Sequence, residues 1–226
     1  MNPILLRVLA FSAIAAALII TGYLIIRPAD ELPVYHPKQI NPRLVDKDVW
    51  LTEGEHRISD FALIDQRGDT ITKASIAGRI VVADFFFTTC PTICPKMTKN
   101  LERVQQAYAG DRRLVILSHS VTPEMDSVPV LAAYAELHGA DPQQWHFLTG
   151  ERKQIYALAR RSYFACLDEG DGGLQDFVHT ENIVLVDPRG RLRGFYDGTN
   201  PKETDDLIRD IKKLLRELKS DSSGDS

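Results

Sequence analysis

Cysteine is scarce in this chain, three in 226 residues. Two of the three, Cys90 and Cys94, stand four residues apart, each followed by proline, in FFFTTCPTICPKM (85–97). There is no long basic stripe, and the formal net charge is −4, which leaves no case for a nucleic-acid partner. No internal repeat is visible, which sets aside a repeat array. Charge is missing altogether from VLAFSAIAAALIITGYLII (8–26), nineteen residues in a row. A core helix rarely runs this long without a polar face, and a membrane-spanning helix needs about 20 such residues. A good cleavage site is also lacking. The run ends in Tyr-Leu-Ile-Ile before Arg27-Pro28, whereas the apolar part of a signal peptide is usually ~7–15 residues and ends in small ones. No cysteine follows it, so there is no lipoprotein site. No Arg- and Ser-rich transit peptide precedes it, which favours a bacterium over a mitochondrion.

The expectation is therefore an uncleaved anchor over residues 1–27. Arg7 precedes the run and Arg27 follows it, so counting cations does little to orient it. A single N-terminal anchor ahead of the only folded domain most often places that domain outside the cytoplasm. This predicts a bacterial inner-membrane protein with one pass and a periplasmic domain.

What is present beyond the anchor is ordinary. An apolar content of 44% and a charged content of 26% are those of a globular protein, with enough chain for one domain. Residues 28–50 hold four prolines and little periodicity, and read as an extended tether. SDSSGDS (220–226) reads as a disordered tail. The folded domain then covers 51–219.

Within it, RISDFALID and TITKAS flank Gln66-Arg67-Gly68-Asp69 as a hairpin. RIVVADFFF (79–87) and RLVILSHSV (113–121) read as buried strands. Met97, Leu101, Val104 and Tyr108 mark one apolar helix face. Residues 128–137 read as helix and WHFLT as a strand, after which Thr149 is expected to cap a helix over 151–161. NIVLVDPRGRLRGFYDG is two strands about a Pro188-Arg189-Gly190 turn. Asn200-Pro201 opens the last helix, whose buried stripe is Leu207, Ile208, Ile211, Leu214, Leu215 and Leu218. The order, a hairpin, βαβ, then βαββα, predicts an α/β thioredoxin-like fold with a central mixed sheet flanked by helices.

The cysteines follow the first central strand. Pro95 belongs in the first turn of the next helix, where amide hydrogens lack partners. The helix is thus expected to start near Pro91 or Thr92, with both sulfurs near the positive end of its dipole, which favours thiolate. Two thiols so placed can form a disulfide or hold one metal ion. A thioredoxin-type oxidoreductase uses Cys-x-x-Cys and a later proline beside the pair. Here the pair has one extra residue, and DFVHTENIVLVD has His179 and no proline. A peroxiredoxin wants proline and threonine seven and three residues before its cysteine, where Ala83 and Phe87 stand. A third reading is a metal site of Cys90, Cys94 and a histidine, a donor set that suits copper or zinc; a structural zinc site would want a fourth ligand.

Taken together, FFFTTCPTICPKM and FVHTENIVLVDPRGRL resemble the Sco (SenC) family of thioredoxin-like copper proteins, over roughly residue 59 to the end of the last helix. The resemblance implies copper, as Cu(I) and Cu(II), on Cys90, Cys94 and His179. It also implies delivery of copper to the binuclear centre of cytochrome c oxidase subunit II or a related copper protein, or reduction of that centre's cysteines, with a copper donor protein upstream. The alternative is a thiol-disulfide oxidoreductase using Cys90 and Cys94 without metal. Many members carry Val-Asp-Pro where this chain has Val121-Thr122-Pro123. Cys166, in SYFACLD, reads as core. His119 is a reserve ligand, His146 packing, and His138 a helix-end residue. His36 and His56 lie in or just beyond the tether. The glycine-rich, acidic segment 167–177 reads as a mobile loop leading into His179.

Overall fold

The computed structural model describes residues 3–26, 31–52, 54–167, 178–179 and 181–223. The chain divides into two units, one ending at Glu31 and one beginning at Leu32. In the first, Pro3–Ile26 is one 24-residue helix, α1. Among the described residues no helix is long and apolar enough to cross a membrane. The helix expected at the N-terminus is thus observed, and its crossing of a membrane is not.

The second unit begins with a stretch that differs from the extended tether expected of 28–50. Its described part packs into the domain: Leu32, Ile40 and Val45 are buried, with short 3-10 turns at Pro37–Gln39 and Pro42–Leu44 and a helical turn, α2, at Lys47–Trp50. The prolines that read as stiffness instead preset the turns. The apolar residues between them supply contacts that no period announces.

β1 (Ala62–Asp65) and β2 (Thr70–Thr72) form the expected hairpin. The Asp65 carboxylate accepts the backbone N–H groups of Arg67 and Asp69 across the turn, both at 2.9 Å. β3 (Ile80–Phe86) and β4 (Leu114–Ser120) are buried along their whole length, as strands covered on both faces must be. They flank α3 (Cys94–Ala107) and pair in parallel. α4 (Val128–Leu137), β5 (Trp145–Thr149) and α5 (Arg152–Ala157) follow, with a wider π turn at Leu158–Ser162. The cap of α5 is Glu151, whose carboxylate accepts the Gln154 N–H at 2.9 Å; Thr149, expected in that role, ends β5 instead.

β6 (Cys166–Leu167) and β7 (Val178–His179) form a two-stranded ribbon too short to show a period. β8 (Asn182–Val186) and β9 (Leu192–Asp197) are the second hairpin, and α6 (Pro201–Ser223) closes the fold. Asn200 caps α6 by accepting the Lys202 N–H. The helix runs into the segment expected to be a disordered tail, whose last residues, 224–226, lie outside the described ones.

The main sheet has the order β2-β1-β5-β4-β3-β8-β9 and is mixed. α3, α4 and α6 cover one face through Met97, Leu101, Leu131, Leu207, Ile211 and neighbours. The other face holds Phe85, Leu117, Ile155 and Tyr163 together with Ile40 and Val45 from the stretch before β1, while Leu32 packs on the helix-covered face. β3 lies inside the sheet between β4 and β8, and the chain leaving its end carries Cys90.

Candidate metal centre

The sheet delivers the first cysteine and the helix the second. β3 ends at Phe86; the Cys90 N–H then turns back onto the Phe87 carbonyl at 3.2 Å. α3 starts at Cys94 rather than near Pro91, because the first bonded turn closes on Ile93, whose carbonyl accepts Lys96 and Met97 N–H. Pro95 occupies the opening turn, where its missing N–H costs nothing.

This start places Cys90 off the helix end and Cys94 within it. The Cys94 backbone N–H donates to Cys90 Sγ at 3.4 Å. Both side chains are buried and all three cysteines are free thiols. The pair is electrostatically asymmetric, not doubly activated as the dipole argument expected. Burial works against ionisation of Cys90, but the Cys94 thiol and the N–H groups of Thr92, Cys94 and Ile93 outweigh it and pull its pKa below the usual thiol value. Cys94 moves the other way: burial raises it, as do its hydrogen bond to Cys90 and the nearby charges of Cys90 and Asp84. The arrangement is a sulfur biased toward thiolate beside a thiol that donates to it. Such a donor set fits a soft ion such as Cu(I), which thiolates select.

Two acids that the sequence reading passed over border this loop. Asp84 lies inside β3, 1% exposed, accepting Ser118 Oγ–H at 2.5 Å; Ser118 in turn accepts Trp145 Nε1–H at 2.9 Å. Burial pushes its pKa up to about 7 despite the hydroxyl bond. One acid within RIVVADFFF was the available signal, since a buried polar group is the informative exception in an apolar run. Asp126 accepts both the N–H and the hydroxyl of Thr88, two residues before Cys90. Nothing in the local sequence announces it.

His179 lies on β7, directly opposite Cys166 of β6 in register; its side chain lies outside what is described, as does the expected loop over 168–177. Cys166 is buried among core residues. His119, the reserve ligand, is sealed in the core. Its ring stacks on Phe85 with centroids 4.8 Å apart, Nδ1 meets the Asp84 carbonyl at 3.2 Å, and burial lowers its pKa to about 4. His146 bonds Asp65 at 3.0 Å, His138 bonds Glu102 at 2.9 Å, and His56 meets the Ser162 carbonyl at 2.9 Å. Among the described residues no group of three or more His, Cys, Asp or Glu is placed to hold a metal ion. The structure therefore unites Cys90 with Cys94, and among the described side chains it brings no histidine to them.

The model of the SCO1/SenC family matches residues 51–216. A curated relative, the SCO1 protein homolog of Bacillus subtilis, is 32% identical over 159 residues, 70% of this chain and 82% of that protein. The human mitochondrial SCO2 homolog is 32% identical over 154 residues, 64% of this chain and 55% of the human protein, so this chain spans about half of that relative. Among solved structures, BsSco, a member of the Sco family of cytochrome c oxidase assembly proteins in which a disulfide switch was identified, superposes with a TM-score of 0.61. Its identity is 30%, covering 71% of this chain and 94% of the other. ScoI of Bradyrhizobium japonicum, solved with copper bound, superposes with a TM-score of 0.52 at 26% identity, covering 67% and 97%.

Proposed function

The chain belongs to the SCO1/SenC family, and from that premise we propose that it is a membrane-anchored copper carrier. It loads, or prepares by reduction, the binuclear copper centre of cytochrome c oxidase subunit II or a related copper protein. The carrying observation is the buried pair in which Cys94 donates to Cys90 Sγ. Two soft sulfurs, one already biased to thiolate, hold Cu(I), and His179 supplies the nitrogen that Cu(II) prefers. Copper is the cargo. Cys90 binds it as thiolate, and Cys94 joins by giving up its proton. Copper-bound ScoI supports the ion, and BsSco supports the role in oxidase assembly.

The anchor is α1. Its uncharged run and its exposed Phe11, Ile14, Leu18, Ile19 and Ile20 support a bilayer as the surrounding medium. The folded domain then acts on the periplasmic side of a bacterial inner membrane and receives copper from a donor protein there.

The test is copper content per chain after purification, set beside catalytic reduction of a disulfide substrate. A carrier holds close to one copper per chain, lost when either cysteine is replaced. Little copper together with catalytic disulfide turnover would refute carriage and leave a thiol-disulfide oxidoreductase working through Cys90 and Cys94.

A further inference from the structure

Asp126 sits on the loop between β4 and α4, 1% exposed, and its carboxylate gathers four donors. Oδ2 accepts Ser120 Oγ–H at 2.5 Å, Thr122 Oγ1–H at 3.1 Å and the Thr88 backbone N–H at 3.3 Å; Oδ1 accepts Thr88 Oγ1–H at 2.5 Å. All four donors are neutral. A carboxylate taken out of water is tolerable only with such complete satisfaction, and hydrogen bonds to a charged acceptor are the strong ones. Bonds to Ser120 and Thr122 alone would make this a local turn cap. The other two reach back 38 residues to Thr88, on the segment between β3 and Cys90. Ser120, at the far side of the clasp, ends a fully buried strand in register with Phe86. One carboxylate thus ties the cysteine segment to the rigid end of β4.

We propose that Asp126 is a positioning residue for the thiol pair, holding Thr88 against the end of β4 and so fixing the turn that presents Cys90 Sγ to the Cys94 N–H. The clasp belongs to the reduced geometry, in which Cys90 accepts from Cys94. Forming the disulfide removes the Cys94 thiol that donates to Cys90 and draws the two sulfurs into an S–S bond of specific geometry. Releasing the clasp therefore shifts the pair toward the disulfide. The role rests on the proposed function only for what the pair goes on to do.

The experiment uses the full chain without copper, equilibrated with glutathione. The exchange converts the Cys90–Cys94 dithiol and one glutathione disulfide into the protein disulfide and two glutathione thiols, read by mass spectrometry on the peptide containing both cysteines. Asp126→Ala is expected to raise the equilibrium constant for disulfide formation at least about tenfold, the size of one hydrogen bond to a charged group. Thr88→Val shifts it the same way by less, and Asp126→Asn, which keeps an acceptor oxygen, falls between wild type and Asp126→Ala. The double variant Asp126→Ala/Thr88→Val goes little beyond Asp126→Ala, since the two share their bonds. Thermal melting confirms that each variant is folded. Folded variants with the wild-type constant and only a lower melting temperature would make Asp126 a plain loop stabiliser and overturn the proposal, as would a shift toward the dithiol. If Asp126→Ala does not fold, Asp126→Asn and Thr88→Val decide. A Cu(I) titration of the wild type runs alongside: absence of copper binding there refutes carriage, while the glutathione constants still judge the clasp.

Discussion

Asp84→Asn should make the protein more stable, and increasingly so as pH rises. The wild-type carboxyl is buried in β3 with a hydroxyl as its side-chain partner, and burial lifts its pKa from 3.8 to about 7. The unfolded chain therefore ionises Asp84 about three pH units before the folded protein does. Stability from this group is fully present below the unfolded pKa. It is lost as pH climbs toward 7 and levels off above, because the unfolded state releases its proton first. Three units correspond to about 4 kcal/mol in total, of which about 2–3 kcal/mol falls between pH 5 and pH 8. Asparagine cannot ionise and keeps an oxygen for Ser118. His119, whose depressed pKa runs the opposite way and weakens the fold as pH falls from about 6.5 toward 4, meets Asp84 through the backbone carbonyl, which the substitution keeps. Its contribution is the same in both proteins and cancels in the difference. Urea unfolding of wild type and Asp84→Asn, reduced and copper-free, at both pH values gives the gap between the two curves. Growth of that gap by about 2–3 kcal/mol from pH 5 to pH 8 is expected. A constant gap would mean that Asp84 is not held protonated by its surroundings, and the account of its burial in β3 would be wrong.

Three further outcomes are expected. Cys166→Ala keeps the copper stoichiometry, measured per purified chain; loss of copper in that variant would instead bring Cys166 into the site. His179→Ala weakens Cu(II) far more than Cu(I), because Cu(II) favours nitrogen donors and Cu(I) is satisfied by thiolates. Parallel titrations following the sulfur-to-Cu(II) charge-transfer band check this, and equal loss of both ions, or of neither, would remove His179 from the ligand set. Protease added to spheroplasts should degrade the folded domain, whereas recovery of a soluble protein lacking the first 26 residues would contradict α1 as an anchor.

Much of this architecture is local in origin and could be read residue by residue. The largely apolar runs that became β3 and β4 need no partner to be recognised as buried strands. The spacing of Met97, Leu101 and Val104 fixes the inner face of α3, and Asn200 with Pro201 fixes where α6 begins. The two cysteines announce themselves because their type, spacing and flanking prolines all lie within one short segment. Tertiary structure decided whatever depends on neighbours distant in the chain. Cys90 and Cys94 share one helix end, yet their pKa values part because burial and the charge of Asp84 act on Cys94 while amide donors converge on Cys90. Asp126 gains its place from Thr88, 38 residues earlier, and no local pattern encodes such a pairing. The stretch from Leu32 to Trp50 looked like a tether because its order comes from contacts with the domain. One of these is the Tyr35 N–H on the Leu192 carbonyl at 2.9 Å, a bond that exists only once the strand carrying Leu192 has been laid at the edge of the sheet.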